Sequence, residues 1–104
     1  MKAPKTLSRE AATWHRKILA EYRIDDPAGL LLLQSALEAF DRMREAQQII
    51  RVEGATFTDR FDQIKSHPLL TVERDSRSQM VQALKALNLD LEPLRDGPGR
   101  PGGF

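Results

Sequence analysis

The side chains able to do catalytic or metal chemistry are few and scattered. The chain of 104 residues has no cysteine and two histidines, His15 and His67. Neither belongs to an HExxH pattern, and no glycine-rich phosphate loop of the GxxxxGK[ST] or GxGxxG type occurs. The adjacent carboxylates Asp25 and Asp26 precede Pro27 and are interpreted as a helix cap with its neighbour. The sequence therefore predicts no catalytic residue, no metal site and no cofactor.

Basic side chains near the amino terminus are the strongest candidates for binding. Positions 1–25 hold six Lys or Arg against three acids, although the whole chain has a net charge of only +1. Arg9, Arg16 and Arg23 are seven residues apart, so they drift by only about 20° per step along one helix edge. Such a row could follow the phosphates of a duplex without reading bases, and ordinary solvated charges are the alternative interpretation. The predicted DNA-binding residues are Lys2, Lys5, Arg9, Arg16, Lys17 and Arg23.

Two further groups of basic residues rank lower. Arg74, Arg77 and Lys85 share the third predicted helix, but Glu73 stands four residues before Arg77 and is expected to pair with it. The arginines of the tail after residue 94 could contact DNA or another protein. No alternation of aromatic and basic residues indicates stacking on single strands.

The first predicted helix runs from Arg9 to Tyr22, with Ser8 as its cap, and residues 1–7 before it are predicted to be a flexible basic arm. Trp14, the only tryptophan, is interpreted as a core anchor between helices rather than an interface hot spot. The apolar stripe of this helix consists of Ala11, Trp14, Ile18 and Tyr22, with Leu19 beside it.

The second predicted helix, from Pro27 to Val52 with Gly54 as its stop, carries two adjacent apolar seams and so needs two packing partners. One partner is the chain's own core, and the other is either a neighbouring subunit or a second helix of the same chain. The opposite face, where Glu38 stands four residues before Arg42, is expected to be a solvated charge ladder. The seam assigned to an oligomer interface is Leu32, Ala36, Ala39, Met43, Ala46 and Ile50, and the other is Leu30, Leu33, Leu37 and Phe40.

The remaining chain completes a mainly α fold, a small domain of three principal helices with a short extended or hairpin loop between the second and third. In that loop, Phe57 and Phe61 are expected to tether it to the helices. The third helix is predicted to start at a Ser66 cap, to be buried most deeply in its second half and to stop at a left-handed Asn88. The single domain is predicted over residues 8–94, and a flexible glycine- and proline-rich tail over 95–104.

A family resemblance is carried by the stretch SHPLLTVERDSRSQMVQALKALNLDLEP, residues 66–93, and the Gly/Pro/Arg tail after it. The histidine–proline start, the arginine-bearing ERDSR turn and the ALKALNLDLEPLR segment resemble the small subunit of bacteriophage terminase, in particular the short helical type encoded near an HNH endonuclease and a large packaging ATPase. The resemblance implies a non-catalytic adaptor that forms a ring, binds double-stranded viral DNA and regulates the large terminase subunit. It also implies action in the host cytoplasm, without a membrane.

Two functional hypotheses follow. The first is the DNA-packaging adaptor, and the second is a helical protein–protein interaction or assembly module with no DNA role. They differ in whether the oligomeric protein retains double-stranded DNA at low salt and loses it steeply as salt rises.

Overall fold

The computed structural model of the protein describes residues 3–89 and confirms the mainly helical class with a hairpin between the second and third helices. Lys2 and the tail 95–104, about which the sequence made predictions, lie outside the described residues. The elements in chain order are α1 (Arg9–Glu21), α2 (Pro27–Glu53), β1 (Thr56–Thr58), β2 (Ile64–Ser66) and α3 (Leu69–Ala86).

The start of α1 is capped and anchored as its sequence predicts. The Ser8 hydroxyl oxygen accepts the Ala11 amide N–H at 3.0 Å, which satisfies one of the first unpaired donors of the helix. The amide and hydroxyl of Ser8 both donate to the carboxylate of Asp41 on α2, the amide at 2.9 Å. Leu7, just before the cap, packs on the core. The cap thus starts α1 and also joins it to α2.

Helix α2 begins and ends at the cap residues that the sequence predicts. The Asp26 carboxylate accepts the Gly29 amide N–H at 2.9 Å, with Pro27 in the first turn. Gly54 ends the helix with a φ of 94°, a left-handed value that glycine adopts without strain. The 27 residues of this helix span about 40 Å.

The hairpin is short and fully exposed. Thr56 pairs with Ser66 and Thr58 with Ile64 in antiparallel register. The turn is closed by the Asp59 carboxylate, which accepts the amide N–H groups of Phe61 and Gln63 at 2.8 and 3.0 Å. All six strand residues are exposed. The expectation that Phe57 and Phe61 tether the hairpin to the helices is therefore wrong, because Phe57 is 46% and Phe61 68% exposed.

The start of α3 differs from its predicted form. Ser66 is not the cap, since it pairs in β2, and the helix begins after Pro68 without a side-chain cap. His67 takes that role in part: its Nδ1 accepts the Leu69 amide N–H at 3.0 Å while Nε2 donates to Glu53 at 2.7 Å. These two bonds tie the end of α2 to the start of α3. At the other end Asn88 has the predicted left-handed conformation, with a φ of 57°.

Both α1 and α3 pack on α2, which is the central helix. Arg42 donates to Gln79 at 2.9 Å and Gln47 to Glu73 at 3.1 Å, so α3 runs antiparallel to α2 along most of its length. The chain turns back through Ile24, which places α1 antiparallel along the first half of α2. The two apolar seams of α2 are accordingly covered by two helices of the same chain.

The core lies toward one end of the molecule. Its buried cluster joins Ala11, Ile24, Leu33, Leu37, Phe40 and Met43, with Met80, Leu87 and Leu89 packed against it. We call residues 7–44 and 77–89 the proximal bundle, and residues 45–76 the distal arm. The second half of α3 was predicted to be its most buried part, but the only buried residue among its 18 is Ser76 in the middle. The reason is that α3 packs mainly on α2, which leaves its other sides open.

Candidate nucleic-acid interface

The outer face of α1 presents basic side chains to solvent. Arg9 and Arg16 are exposed and, seven residues apart on a regular helix, lie on the same edge. Lys17 lies beside them with its ammonium 5.0 Å from the centroid of the Trp14 ring. The helix therefore brings three of the predicted DNA-binding side chains to one face, held in place by the cap at Ser8.

The other predicted members lie at the ends of this face. Lys5 is exposed in the turn that precedes α1. Arg23 is exposed just past the carboxyl end of α1, in an open depression that it shares with Glu21 and Asp25. Those two carboxylates offset part of its positive field, so Arg9, Arg16 and Lys17 form the stronger part of the set.

The basic side chains of this face are not engaged in ion pairs. Among residues 3–89, the ion pairs of the structure involve Arg44, Lys65, His67, Arg74 and Arg77, and none includes a basic residue of α1. A cation with no carboxylate partner gains more from a phosphate, since no existing pair has to be broken. Arg42, Arg51, Arg60 and Lys85 likewise form no ion pair within residues 3–89, so the α1 face is distinguished by carrying three such cations on one helix.

The second basic patch is largely neutralised. Arg77 is paired with Glu73 one turn earlier, as predicted, and Arg74 contacts Asp75 at 3.5 Å. Lys85 stands in the last turn of α3, where it complements the helix dipole. The arginines of the tail lie outside the described residues.

The comparison with known families decides which kind of protein this is. Residues 11–92 match the family described as phage terminase, small subunit. The chain belongs to the phage terminase small-subunit family. No curated protein and no solved structure matches the chain. The match covers most of α1 and all of α2, the hairpin and α3, but it excludes Lys5 and Arg9.

The seam that was assigned to an oligomer interface is mostly occupied within this terminase-family chain. Ala36, Ala39, Met43 and Ala46 are buried, while Leu32 and Ile50 are partly exposed. The four buried residues lie on the side of α2 that α3 covers, so a neighbouring subunit does not reach them while α3 is in place. This placement corrects the choice of these four, and its physical reason is that the second partner of α2 is α3.

His15 is buried and Trp14 is exposed, the reverse of what their residue types suggest. His15 is 2% exposed and its Nδ1 has no hydrogen-bond partner within residues 3–89, whereas Trp14 is 44% exposed. Burial lowers the pKa of His15 from its ordinary value, which favours the neutral ring. The prediction of Trp14 as a core anchor is wrong, because its ring lines a gap between α1 and α3. The position of His15 four residues after Ala11 was the signal for its burial.

A chain of polar contacts that the sequence pattern did not reveal crosses the three helices. Arg44 on α2 contacts Glu10 of α1 at 3.3 Å and donates to Gln47 at 2.9 Å. Gln47 donates to Glu73 of α3 at 3.1 Å, and Glu73 also accepts from Arg77. We call these five residues the polar relay. The relay engages Arg44 of α2 and Arg77 of α3 with the carboxylates of Glu10 and Glu73, whereas Arg9, Arg16 and Lys17 take no part in it.

Two kinds of site are not found in the described part of the terminase-family chain. Within residues 3–89 no three His, Cys, Asp or Glu side chains come together as metal ligands. Over the same residues no helix is long and apolar enough to cross a membrane.

Proposed function

We propose that this phage terminase small subunit is a non-catalytic adaptor that binds double-stranded viral DNA through the outer face of α1. In this proposal it forms a homo-oligomeric ring in the host cytoplasm, recognises DNA for packaging, delivers it to the large terminase subunit and regulates that subunit's ATPase and nuclease. The observation that carries the DNA role is the exposed row of Arg9, Arg16 and Lys17, which has no carboxylate partner among residues 3–89.

The strength of binding is expected to depend on copy number. The chain has a net charge of +1, and each copy offers only a few phosphate contacts. A single copy therefore binds DNA weakly, but several copies on one duplex raise the effective affinity without any new type of contact. Lys5 and Arg23 add to the set at the two ends of the helix, and Lys2, which lies outside the described residues, is a further predicted member.

The test compares two double variants that remove the same charge. Arg9→Ala with Arg16→Ala is expected to weaken binding of double-stranded DNA and to reduce the slope of log affinity against log salt by about two, since about 0.9 counterion is released per phosphate contact. Arg74→Ala with Arg77→Ala is the control, because both arginines already contact carboxylates. Fluorescence anisotropy of a labelled duplex over a range of salt concentrations measures both quantities.

The DNA role would be contradicted if neither the wild type nor any variant retains duplex DNA at low salt in its oligomeric form. The assignment to α1 would be contradicted if the control pair loses as much affinity as the α1 pair, which would indicate that net charge alone governs the binding.

A second candidate function has a specific observation in its favour. The distal arm ends in exposed apolar side chains, Phe57, Phe61 and Ile64, as expected of a protein-interaction module without a DNA role. Under this hypothesis Arg9→Ala with Arg16→Ala changes nothing, whereas Phe61→Asp abolishes capture of a purified large terminase subunit. Because both functions include contact with the large subunit, the DNA assay is the one that separates them.

A further inference from the structure

Two small side chains on the outer face of α1 lie between two basic edges of the helix. Thr13 stands three residues before Arg16 and four before Lys17. Ala20 stands four residues after Arg16 and three after Lys17. Residues three and four apart are neighbours on a helix surface, so both small side chains lie between the two cations. Ala20 is exposed and Thr13 partly exposed, so this face has cations on both sides and little side-chain bulk in the middle.

The width of this face matches the major groove of double-stranded DNA. Consecutive residues of a helix point about 100° apart, so Arg16 and Lys17 reach in two different directions. The ammonium of Lys17 is kept on its own edge by the Trp14 ring, whose centroid is 5.0 Å away. A helix with its side chains is about 10–12 Å across, the major groove is about 12 Å wide and the minor groove about 6 Å. The two edges can therefore meet the phosphates of both strands that border one major groove.

Helix α2 extends past the start of α1, on the side that α1 covers. Glu10 in the first turn of α1 contacts Arg44 at 3.3 Å, so Arg44 marks the point where α1 begins. From there α2 continues to Glu53, over about 14 Å. Arg51 lies seven residues after Arg44 and only about 20° around the helix. It lines the same open depression as Glu10 and Arg44, which places it on the α1 side of α2.

The outer face of α1 and this extension of α2, residues 45–53, form a step that is one helix deep. The axes of packed helices are about 8–10 Å apart, so the extension is set back from the outer face of α1 by that distance. The major groove is about 8.5 Å deep. A helix lying in the groove therefore brings the helix behind it level with the phosphates at the edge of the groove. Arg51 is exposed at that level and forms no ion pair within residues 3–89.

We propose that α1 lies in the major groove of double-stranded DNA and that Arg51 binds a phosphate at the edge of the same groove. Thr13 and Ala20 then face the base pairs, while Arg16 and Lys17 contact phosphates of opposite strands. A duplex that rested on the outer face of α1 without admitting the helix would stay one helix depth away from residues 45–53. This inference rests on the DNA binding in the proposed function, names the groove and adds a contact from α2.

The contact from α2 is tested by removing one charge. Arg51→Ala should weaken duplex binding and lower the slope of log affinity against log salt by about one, since about 0.9 counterion is released per phosphate contact. Arg60→Ala is the control, because Arg60 is an exposed arginine of the hairpin that also forms no ion pair within residues 3–89. Fluorescence anisotropy measures both variants, and sedimentation checks that their assembly is unchanged.

The fit of α1 in the groove is tested without changing any charge. Thr13→Phe places a large ring between the basic edges and should lower the affinity about tenfold or more, as expected when bulk is forced into a close contact. Ser78→Phe, at an exposed position of α3, is the matched control and should bind like the wild type. Circular dichroism checks that both variants fold.

A modified duplex tests the groove with the wild-type protein. Cytosines that carry a glucosylated hydroxymethyl group on C5 fill the major groove and leave the charge of the duplex unchanged. The wild type should bind this duplex at least about tenfold more weakly than the unmodified one, because C5 substituents project into the major groove.

The outcomes separate this inference from the proposed function. If Arg9→Ala with Arg16→Ala weakens binding but Arg51→Ala behaves like Arg60→Ala, the contact from α2 is overturned and the DNA role of α1 stands. If the modified duplex, or folded Thr13→Phe, binds as tightly as the unmodified pair, α1 does not enter the major groove. If the wild type retains no duplex at low salt, the proposed function itself fails.

Discussion

The proximal bundle and the distal arm share two helices but are held together in different ways. In the proximal bundle three helices enclose large apolar side chains such as Leu33, Leu37 and Phe40. Within residues 45–76 the buried side chains are Ala46 and Ser76, both small. Because Gln47 bonds to Glu73 and Arg42 to Gln79, Ala46 and Ser76 lie near each other, where small residues let the two helices approach closely.

The proximal bundle and the distal arm contribute differently to stability and to recognition. Burial of apolar area is the main favourable term in folding, so the proximal bundle supplies most of the stability. The distal arm adds a close helix contact, part of the polar relay and the His67 bonds, and it ends in exposed apolar residues. An element with few buried contacts opens more readily, which suits a part of the molecule that meets a partner.

The largest expected effect is in the proximal core. Leu33→Ala removes a fully buried side chain at 0% exposure and leaves a cavity, so the free energy of unfolding should fall by about 3 kcal/mol in urea denaturation. Leu31→Ala, two residues away but exposed, should change it by less than about 0.5 kcal/mol. Similar losses from both would show that the assignment of the buried face of α2 is wrong.

A smaller effect is expected in the distal arm. Ser76→Leu forces a larger side chain between α2 and α3 and should cost about 1–3 kcal/mol. Hydrogen exchange should localise the disturbance to amides of residues 45–76, with proximal amides unchanged. Ser78→Leu, on the exposed side of the same helix, is the matched control. If amides of the distal arm are equally protected from hydrogen exchange in Ser76→Leu and Ser78→Leu, the two helices are not closely packed there.

The pH dependence of stability should originate in the proximal bundle. Burial lowers the pKa of His15 in the folded protein, so the unfolded chain binds a proton first as pH falls below the ordinary value near 6.5. The free energy of unfolding therefore keeps its full value above that pH and falls below it, by at most about 1.4 kcal/mol per pH unit. Urea denaturation between pH 7.5 and 5.5 measures the decline.

Two variants attribute that decline to one histidine. His15→Leu should flatten the dependence over this range, since it removes the buried titrating ring with its unpartnered Nδ1. His67→Gln should keep it, because His15 is still present. A wild-type decline that persists in His15→Leu would assign the pH effect elsewhere.

The smallest effect is expected in the polar relay. Arg77→Ala should cost less than about 1 kcal/mol, because the Arg77 side chain is about half exposed and Gln47 still bonds to the Glu73 carboxylate. Urea denaturation of the single variant is sufficient. If the free energy of unfolding falls by more than about 2 kcal/mol, the distal arm is stabilised mainly by its polar contacts and not by the close packing of Ala46 and Ser76.

Most of the elements were predictable because their signals are local. Ser8, Asp26 with Pro27, Gly54 and Asn88 mark helix ends through their own backbone preferences and short hydrogen bonds, and the structure confirms each. The start of α3 was not predictable in this way, since Ser66 satisfies its backbone in a strand pair instead.

The candidate site was predictable only in part. The spacing of Arg9 and Arg16 places them on one helix edge whatever the tertiary structure, so the sequence identified that row. Their lack of a carboxylate partner was not visible, because pairing depends on which helices meet. Arg42 illustrates the point, since in place of the expected pair with Glu38 it donates to Gln79 on α3.

The helical class and most helix ends were thus readable from the amino-acid order, since periodicity and capping act over a few residues, and the family was indicated by the resemblance of residues 66–93. The partner of each apolar seam was decided by packing in three dimensions. A wide stripe on α2 fits two helices of one chain as well as it fits a neighbour, and only the folded chain shows that α3 covers Ala36 and Met43. The same packing buries His15 and leaves Trp14 at a groove, because two outer helices on one central helix cannot close the gap between them.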